Sequence, residues 1–373
     1  MSRETKIFEY LDEIETTQEY NGYFCSVKEA LLIVIIGSLC GLRNVNQIHQ
    51  WAVNSRTKEF LRDNFGIANI PCYYWLLSLL KLVKPESLNN CLEKWVYSLV
   101  GENKNLTLAI DGKTIRSTSK MHKYNKPLHI VSAQISQLGL TFSSETTEDK
   151  SNEIPAVREL ISGLKIDGML ITADAMHCQK ETAKLIIDKK ADYLLNVKDN
   201  QGILKSEIES YVQDSDLQKF MDKAETLEKN SGRIEKRVAF TTNKIDWLFG
   251  KADWANLCSI GAINRQVTYK KTTTNEWHYY ILSRNLTAKE LLVHARCEWS
   301  VETMHWLLDV HFGEDFCRVV DRNIQQNLNS IHKIALNTLK LFKTNTKDKR
   351  PLSKIMFACL LDIDFSISIL GNL

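Results

Sequence analysis

The chain reads as an α/β protein: a mixed sheet flanked by helices, interrupted by a β-rich insertion and preceded by an all-helical N-terminal domain. Three observations predict this. Apolar positions repeat at helical spacing through the first hundred residues; short runs rich in Val, Ile, Leu and Thr then alternate with helical patterns; and a charged stretch after residue 200 gives way to more strand-like runs before helices resume. The expected divisions are a helical domain at 1–104, the first part of the core at 105–199, the insertion at 200–287, helices completing the core at 288–345 and a tail at 346–373.

In the N-terminal part, Ser26 followed by Glu29 has capping-box spacing ahead of an apolar run, and Tyr74–Leu82 and Leu88–Val100 repeat apolar residues at helical intervals. Ala30–Leu42 is the longest apolar stretch. It is interrupted by Gly37 and Ser38 and is too short to cross a bilayer, and no signal-peptide layout precedes it, so the expectation is a cytoplasmic protein without a membrane partner.

After a polar linker at Gly101–Asn105, Leu106–Ile110, His129–Ile135 and Leu140–Glu145 read as three strands in meander. Ile154–Leu164 then reads as a helix, Met169–Ala173 as a buried strand, Gln179–Lys189 as a helix and Tyr193–Val197 as a short strand. The insertion opens with a charged helical stretch, Ile203–Lys229, followed by strands at Arg237–Thr242, Leu257–Thr268 and Trp277–Ser283. Helices return at Ala288–Ala295, Glu298–Val310 and Ile324–Phe342. No internal repeat appears, which argues against a solenoid.

Overall charge is close to balanced, with 48 Lys and Arg against 45 Asp and Glu, so any polyanionic partner must be met by local clusters. Gly112–Lys126 holds Lys113, Arg116, Lys120, Lys123 and Lys126 and no acid; Phe316–Lys354 holds nine basic residues against Asp321 and Asp348. Such clusters suit a phosphate backbone, although a solvated surface gives the same composition. The nine cysteines include no Cys-x-x-Cys pair, consistent with reduced, mostly buried thiols.

Three acids stand out. Asp111 and Asp174 each follow an aliphatic run, at the strand ends where α/β sheets gather ligands if the strands are neighbours, and Glu302 lies in a helical pattern. Within Glu298–Val310, Trp299, Thr303, Trp306 and Val310 make one stripe, fit to pin the helix to the sheet. Glu298, Glu302, His305 and Asp309 make the neighbouring stripe. Oxygen ligands of this kind suit two Mg²⁺ ions and phosphodiester chemistry, so the expectation is an enzyme that cuts nucleic acid. Each acid also has a plain structural use: Asp111-Gly112 as a hairpin turn, Asp174 as a helix cap, Glu302 as half of a surface ion pair. Glu302-x-x-His305 has di-iron spacing but lacks a second copy, and His177-Cys178 lacks the rest of a zinc set. Trp299 is either a core anchor or a platform for a displaced base.

The segments AIDGKTIRS, HIVSAQ, EDKSNEIPAVREL, ITADAMHCQKETAKLI, ADYLLNVKDNQ and EWSVETMHWLLDVHFGEDFCR, then NLNSIHKIALNTLK, resemble the insertion-sequence transposases of the ISAs group. These are also called H-repeat-associated proteins and belong to the DDE transposases of IS-four type. The resemblance runs from about Glu9 to about Phe342. It departs at Glu298, where the family carries His, and at Pro71-Cys72-Tyr73-Tyr74-Trp75, where the family has a Pro-Ser-His-Asp-Thr-like segment.

The resemblance implies an RNase H-like core with its insertion between the second Asp and the Glu, and it puts the family's catalytic, metal-binding acids on Asp111, Asp174 and Glu302. It further implies Mg²⁺ as cofactor, with Mn²⁺ able to substitute, and double-stranded DNA as partner, bound by at least a dimer at the moment of reaction. Lys113, Arg116, Lys198, Arg296, Arg318 and Arg322 are the candidate phosphate contacts. A DNA-binding relic or regulator that no longer cuts, and a nuclease that does not join strands, are the alternatives.

Overall fold

The computed structural model describes residues 6–101, 105–119, 127–147, 152–230, 232–270 and 272–371. The N-terminal part consists of α1 (Lys6–Tyr10), α2 (Val27–Leu39), α3 (Val45–Ala52), α4 (Ser55–Phe65), α5 (Tyr73–Leu82) and α6 (Pro85–Val100). Ser26 and Glu29 form the capping box their spacing predicts: the Ser26 hydroxyl accepts from the Glu29 N–H at 3.1 Å, and the Glu29 carboxylate accepts from the Ser26 N–H at 2.5 Å. Every residue from Ala30 to Leu39 is buried, as an all-apolar helix requires. No described helix is long and apolar enough to cross a membrane.

There follow β1 (Thr107–Ile115), β2 (Leu128–Ile135), β3 (Leu140–Thr147), α7 (Glu153–Gly163), β4 (Leu170–Ala173), α8 (Lys180–Asp188), β5 (Asp192–Val197), α9 (Gly202–Gln213), β6 (Asp222–Asn230), β7 (Arg233–Thr242), β8 (Ser259–Tyr269) and β9 (Thr272–Leu282). Helices α10 (Ala288–Ala295), α11 (Glu298–Leu307), α12 (Arg322–Thr346), α13 (Leu352–Leu361) and α14 (Phe365–Leu370) end the chain's described part. The strands make one sheet in the order β3-β2-β1-β4-β5-β9-β8-β7-β6. An antiparallel meander of β1, β2 and β3, continued by β4 and β5 parallel to β1, is the RNase H arrangement.

The insertion is rich in β structure but does not stand apart from the core sheet. β9 pairs antiparallel with β5, and β8, β7 and β6 carry the same sheet onward. One expectation fails here: Ile203–Lys229 is not a single helical stretch, because α9 stops at Gln213 and Asp222–Asn230 is the strand β6. β6 is the sheet's edge, paired with β7 alone, so its alternating charges face water and the ladder to β7 outweighs the local helical pattern.

α12 joins the two parts. Its long buried run packs against α2, α5 and α6 on one side and β3 on the other. Asn327 donates its amide to the carbonyls of Leu80 and Val83, both at 2.9 Å, capping the end of α5, and Asn337 accepts from the Thr141 N–H and donates to its carbonyl, both at 2.9 Å. Apolar residues of α2, α6, β1, β4 and α12 thus belong to one continuous core. All nine cysteines are free and five are buried, as their spacing suggests.

Candidate active site

β1 and β4 are neighbours and parallel, and Ile110 opposite Ala173 is the last pair of their ladder. The next residues on the two strands are Asp111 and Asp174, so two acids distant in sequence leave the same sheet edge together. Past that edge β1 continues beside β2, with Asp111 opposite Ser132, which places Asp111-Gly112 inside a strand and not at a hairpin turn. Asp174 does act as a cap: its carboxylate accepts the Ala175 N–H at 2.6 Å and also receives the Lys198 ammonium at 3.1 Å. Glu302 arrives from α11. A cleft of about 210 Å³ is lined by Asp111, Asp174, Glu302 and a fourth acid, Glu298.

α11 reaches the sheet with a different face from the one its tryptophans suggest. Val301, Met304 and Leu308 are buried, whereas Trp299, Trp306 and Val310 are 40%, 58% and 40% exposed. The aliphatic stripe fits the close approach to β1, and the bulky stripe is left outside. Trp299 is therefore no core anchor. Its ring lies against the guanidinium groups of Arg237 and Arg265, 5.6 and 5.2 Å from the ring centre. On the neighbouring stripe, Glu298 and Glu302 face the cleft, His305 is buried with Nε2 3.8 Å from Asp111 Oδ2, and Asp309 is bonded by Lys113.

The cleft is electrostatically loaded. Burial, with the charges of Glu153, Glu302 and Asp174, pushes the Asp111 carboxyl up to about 6 against the opposing Gly112 N–H. Burial and the charge of Asp174 push Glu298 up to about 7. His305 is held neutral, lowered to about 3 by burial and by Lys333 and Lys113. Crowded carboxylates whose ionised forms repel one another suit a hard divalent cation, and the donors are all oxygen. Among the described residues no three His, Cys, Asp or Glu side chains are gathered closely enough to hold an ion, so the acids line a shared cleft without closing on a single point. Cys178 offers no soft ligand, because burial pushes its thiol up to about 12.

Residues 102–338 match the family described as transposase DDE domain, and residues 8–96 match the one described as DDE_Tnp_1-associated. The chain belongs to the DDE transposase family. It is similar to YbfL of Escherichia coli K12, 31% identical over 86% of this chain and 87% of that one, and to YncI of Escherichia coli O157:H7, 36% identical over 71% and 70%. It is also similar to the H repeat-associated YhhI of Escherichia coli K12, 29% identical over 92% of this chain and 93% of that one. YncI and YhhI are named as candidate transposases, in keeping with the resemblance to H-repeat-associated proteins.

The basic residues predicted for this DDE transposase are dispersed. Lys198 and Arg296 line the cleft with the acids; Arg296 is bonded to Glu228. Lys113 lies nearby, but its side chain is 13% exposed and its ammonium is bonded to Asp309. Arg116 is exposed beside Asp315, and Arg322 is half-buried with its guanidinium donating to Gln325 at 2.9 Å. Arg318 opens onto a separate cavity of about 700 Å³ between α3, α5 and α12. Lys120, Lys123 and Lys126 lie outside the described residues.

Sequence reasoning missed the part of the cleft that the insertion builds. Arg237 on β7 and Arg265 on β8 are opposite each other in register, and with His278 of β9 they line the transposase cleft. Only the sheet pairing brings them there, and neither strand carries a local signal for it. The alternation of β7 and β8 shows which residues share a face, but it leaves open which side of the sheet faces α11.

Proposed function

We propose that this chain is the DNA transposase of a bacterial insertion sequence. It would hydrolyse a phosphodiester at the element's ends and join the freed 3′-hydroxyl to target DNA, with Asp111, Asp174 and Glu302 as its catalytic carboxylates. The observation that carries this reading is the parallel pairing of β1 with β4, which sets Asp111 and Asp174 on one edge of a cleft that Glu302 also lines. The three side chains would hold two Mg²⁺ ions, replaceable by Mn²⁺, and ions so held supply polarisation of the phosphoryl oxygen and activation of the attacking water.

The protein's own part is position and charge. One acid inside a strand, one just past a strand end and one on a packed helix keep negative potential at a fixed place, which limits what must be reorganised when DNA arrives. Lys198, Arg265 and Arg296 line the same cleft, where a phosphate backbone would exchange its counterions for them; Arg237 is buried and bonded to Glu235. Arg116, Arg318 and Arg322 would meet DNA beyond the cleft. Neutral His305 packs beside Asp111 without adding charge. Double-stranded DNA is the partner, both terminal repeats and target, and two copies would be needed to hold two ends, in the bacterial cytoplasm.

Strand cleavage in Mg²⁺ or Mn²⁺ on DNA carrying the element's ends tests the reading, with wild type compared to Asp111→Ala. Cutting by wild type alone is the expected result. Equal cutting by both removes Asp111 from the chemistry, and cutting by neither favours a DNA-binding relic. Precleaved ends that are not joined to target would leave a nuclease.

A further inference from the structure

On the other face of β1, behind the strand edge that carries Asp111, lies a second acidic centre. Glu153, at the start of α7, is 2% exposed, and two buried histidines take its carboxylate: His177 Nε2 is 3.1 Å from Oε1, and His129 Nε2 is 2.9 Å from Oε2. His129 belongs to β2, and its Nδ1 is 2.8 Å from the hydroxyl of Thr114 on β1. His177 belongs to the turn that begins at Asp174, whose carbonyl accepts the His177 N–H at 2.9 Å.

Gly112 closes the arrangement. A Cβ at this position would meet both Glu153 Cδ and His129 Nε2 at 2.6 Å, so the residue after Asp111 must lack a side chain for Glu153 to rest against the strand. The constraint is room, not backbone angle, since Gly112 is not among the positive-φ glycines. At 2.9 and 3.1 Å the two ring nitrogens meet the carboxylate oxygens directly, with no room for an ion between them, so the carboxylate and the imidazoles serve one another.

We propose that His129, Glu153 and His177 form a bracket fixing the Asp111 strand and the Asp174 turn in the mutual position that divalent-ion binding needs, with Glu153 as a positioning residue. The proposal rests on the reading of the cleft given above. A buried carboxylate stays charged only while its bonds are kept. Here the hydrogen bond with His177 runs to the Asp174 turn, and the close contact with His129 runs to β2 and, through Thr114, to β1, so displacing either aspartate segment breaks one of them. Partners bonded to a metal ligand itself are worth roughly 10- to 100-fold in metal affinity; Glu153 acts one step further back, through the segments that carry the two aspartates, so the low end of that range applies.

The test is a Mn²⁺ titration of the full chain, following the free ion by electron paramagnetic resonance, together with melting in metal-free buffer and cleavage as a function of Mn²⁺. Asp111→Ala should lose the ions. Glu153→Gln should raise the Kd for Mn²⁺ about 10-fold, with cleavage recovering at saturating Mn²⁺. Thr114→Val, which releases the His129 ring but keeps the carboxylate, should raise it less. Wild-type affinity in both Glu153→Gln and Thr114→Val, alongside loss in Asp111→Ala, overturns the bracket and leaves the cleft reading intact. Wild-type affinity in Asp111→Ala brings down the cleft reading and the bracket with it. If Glu153→Gln does not fold, Thr114→Val decides: weaker ion binding at unchanged melting supports the bracket, and unchanged binding refutes it.

Discussion

Lys113 and Asp309 tie the strand of one proposed catalytic acid to the helix of another. Lys113 stands two residues beyond Asp111, on the same face of β1, and its ammonium is bonded to Asp309 in the π-helical turn Leu308–Phe312 that follows α11. Glu314, buried, lies 3.5 Å from the same ammonium and accepts from Asn329 of α12 at 2.7 Å. The salt bridge therefore adds a polar tie to the packing of Val301 and Met304 that holds the helix of Glu302 beside the strand of Asp111. This internal partner gives Lys113 a use other than the phosphate contact its sequence context suggests.

Lys113→Met should lower stability by about 2 kcal/mol, since Asp309 and the buried Glu314 would lose a bonded cation. Urea melts would show the loss. DNA binding without divalent ions should keep the wild-type dependence on salt, because a residue that neutralises no phosphate releases no counterion. A salt slope lowered by about one, with stability unchanged, would instead return Lys113 to the DNA surface.

Trp299 has a distinct expectation. Removing a buried tryptophan typically costs about 3–5 kcal/mol, but Trp299 is 40% exposed and packs chiefly on Arg237 and Arg265, where a cation–π contact contributes about 1 kcal/mol. Trp299→Ala should thus melt close to wild type while binding DNA more weakly, because the ring beside two cleft arginines is gone although Glu235 still bonds both of them. A melting loss of core size, with DNA affinity intact, would contradict this placement.

What could be read from the sequence follows the range of the forces involved. Ser26 with Glu29 is a local motif, and the strands that lead to Asp111 and Asp174 are short aliphatic runs, so the cap and both acids were legible. The RNase H order came from the family resemblance, and the observed strand order agrees with it. β6 was misread because an edge strand can carry charges at any position, and its pairing with β7 is decided across the sheet. The packed face of α11 is not legible locally because two apolar stripes run along it, Trp299-Trp306-Val310 and Val301-Met304-Leu308, and only the packing on β1 decides that the second is buried. The Glu153 bracket joins α7, β2 and the Asp174 turn, and nothing near Glu153 in the chain announces its two histidines.

The raised carboxyls give a dependence on pH that a metal ion should reverse. Asp111 goes from its usual 3.8 to about 6 and Glu298 from 4.5 to about 7, with burial as the first cause for each. Groups acting on them include Asp174, Glu302 and, from the other face of β1, Glu153 as acids, Lys198 as a cation, and His305 in neutral form. A carboxyl that binds its proton more tightly folded than unfolded stabilises the fold below its unfolded pKa and loses that contribution as pH rises through its folded one. The metal-free protein should accordingly lose this contribution between about pH 4 and pH 7, the windows set by those two shifts. An Asp111→Asn, Glu298→Gln double variant should melt higher than wild type by a margin that widens across that range. Saturating Mg²⁺ should raise the wild-type melting temperature at pH 7.5, where the ligands are ionised, and leave the double variant where it was. A margin that stays flat with pH, or a variant that gains as much from Mg²⁺ as wild type does, would mean that the crowded carboxylates of this cleft are not what the ion answers to.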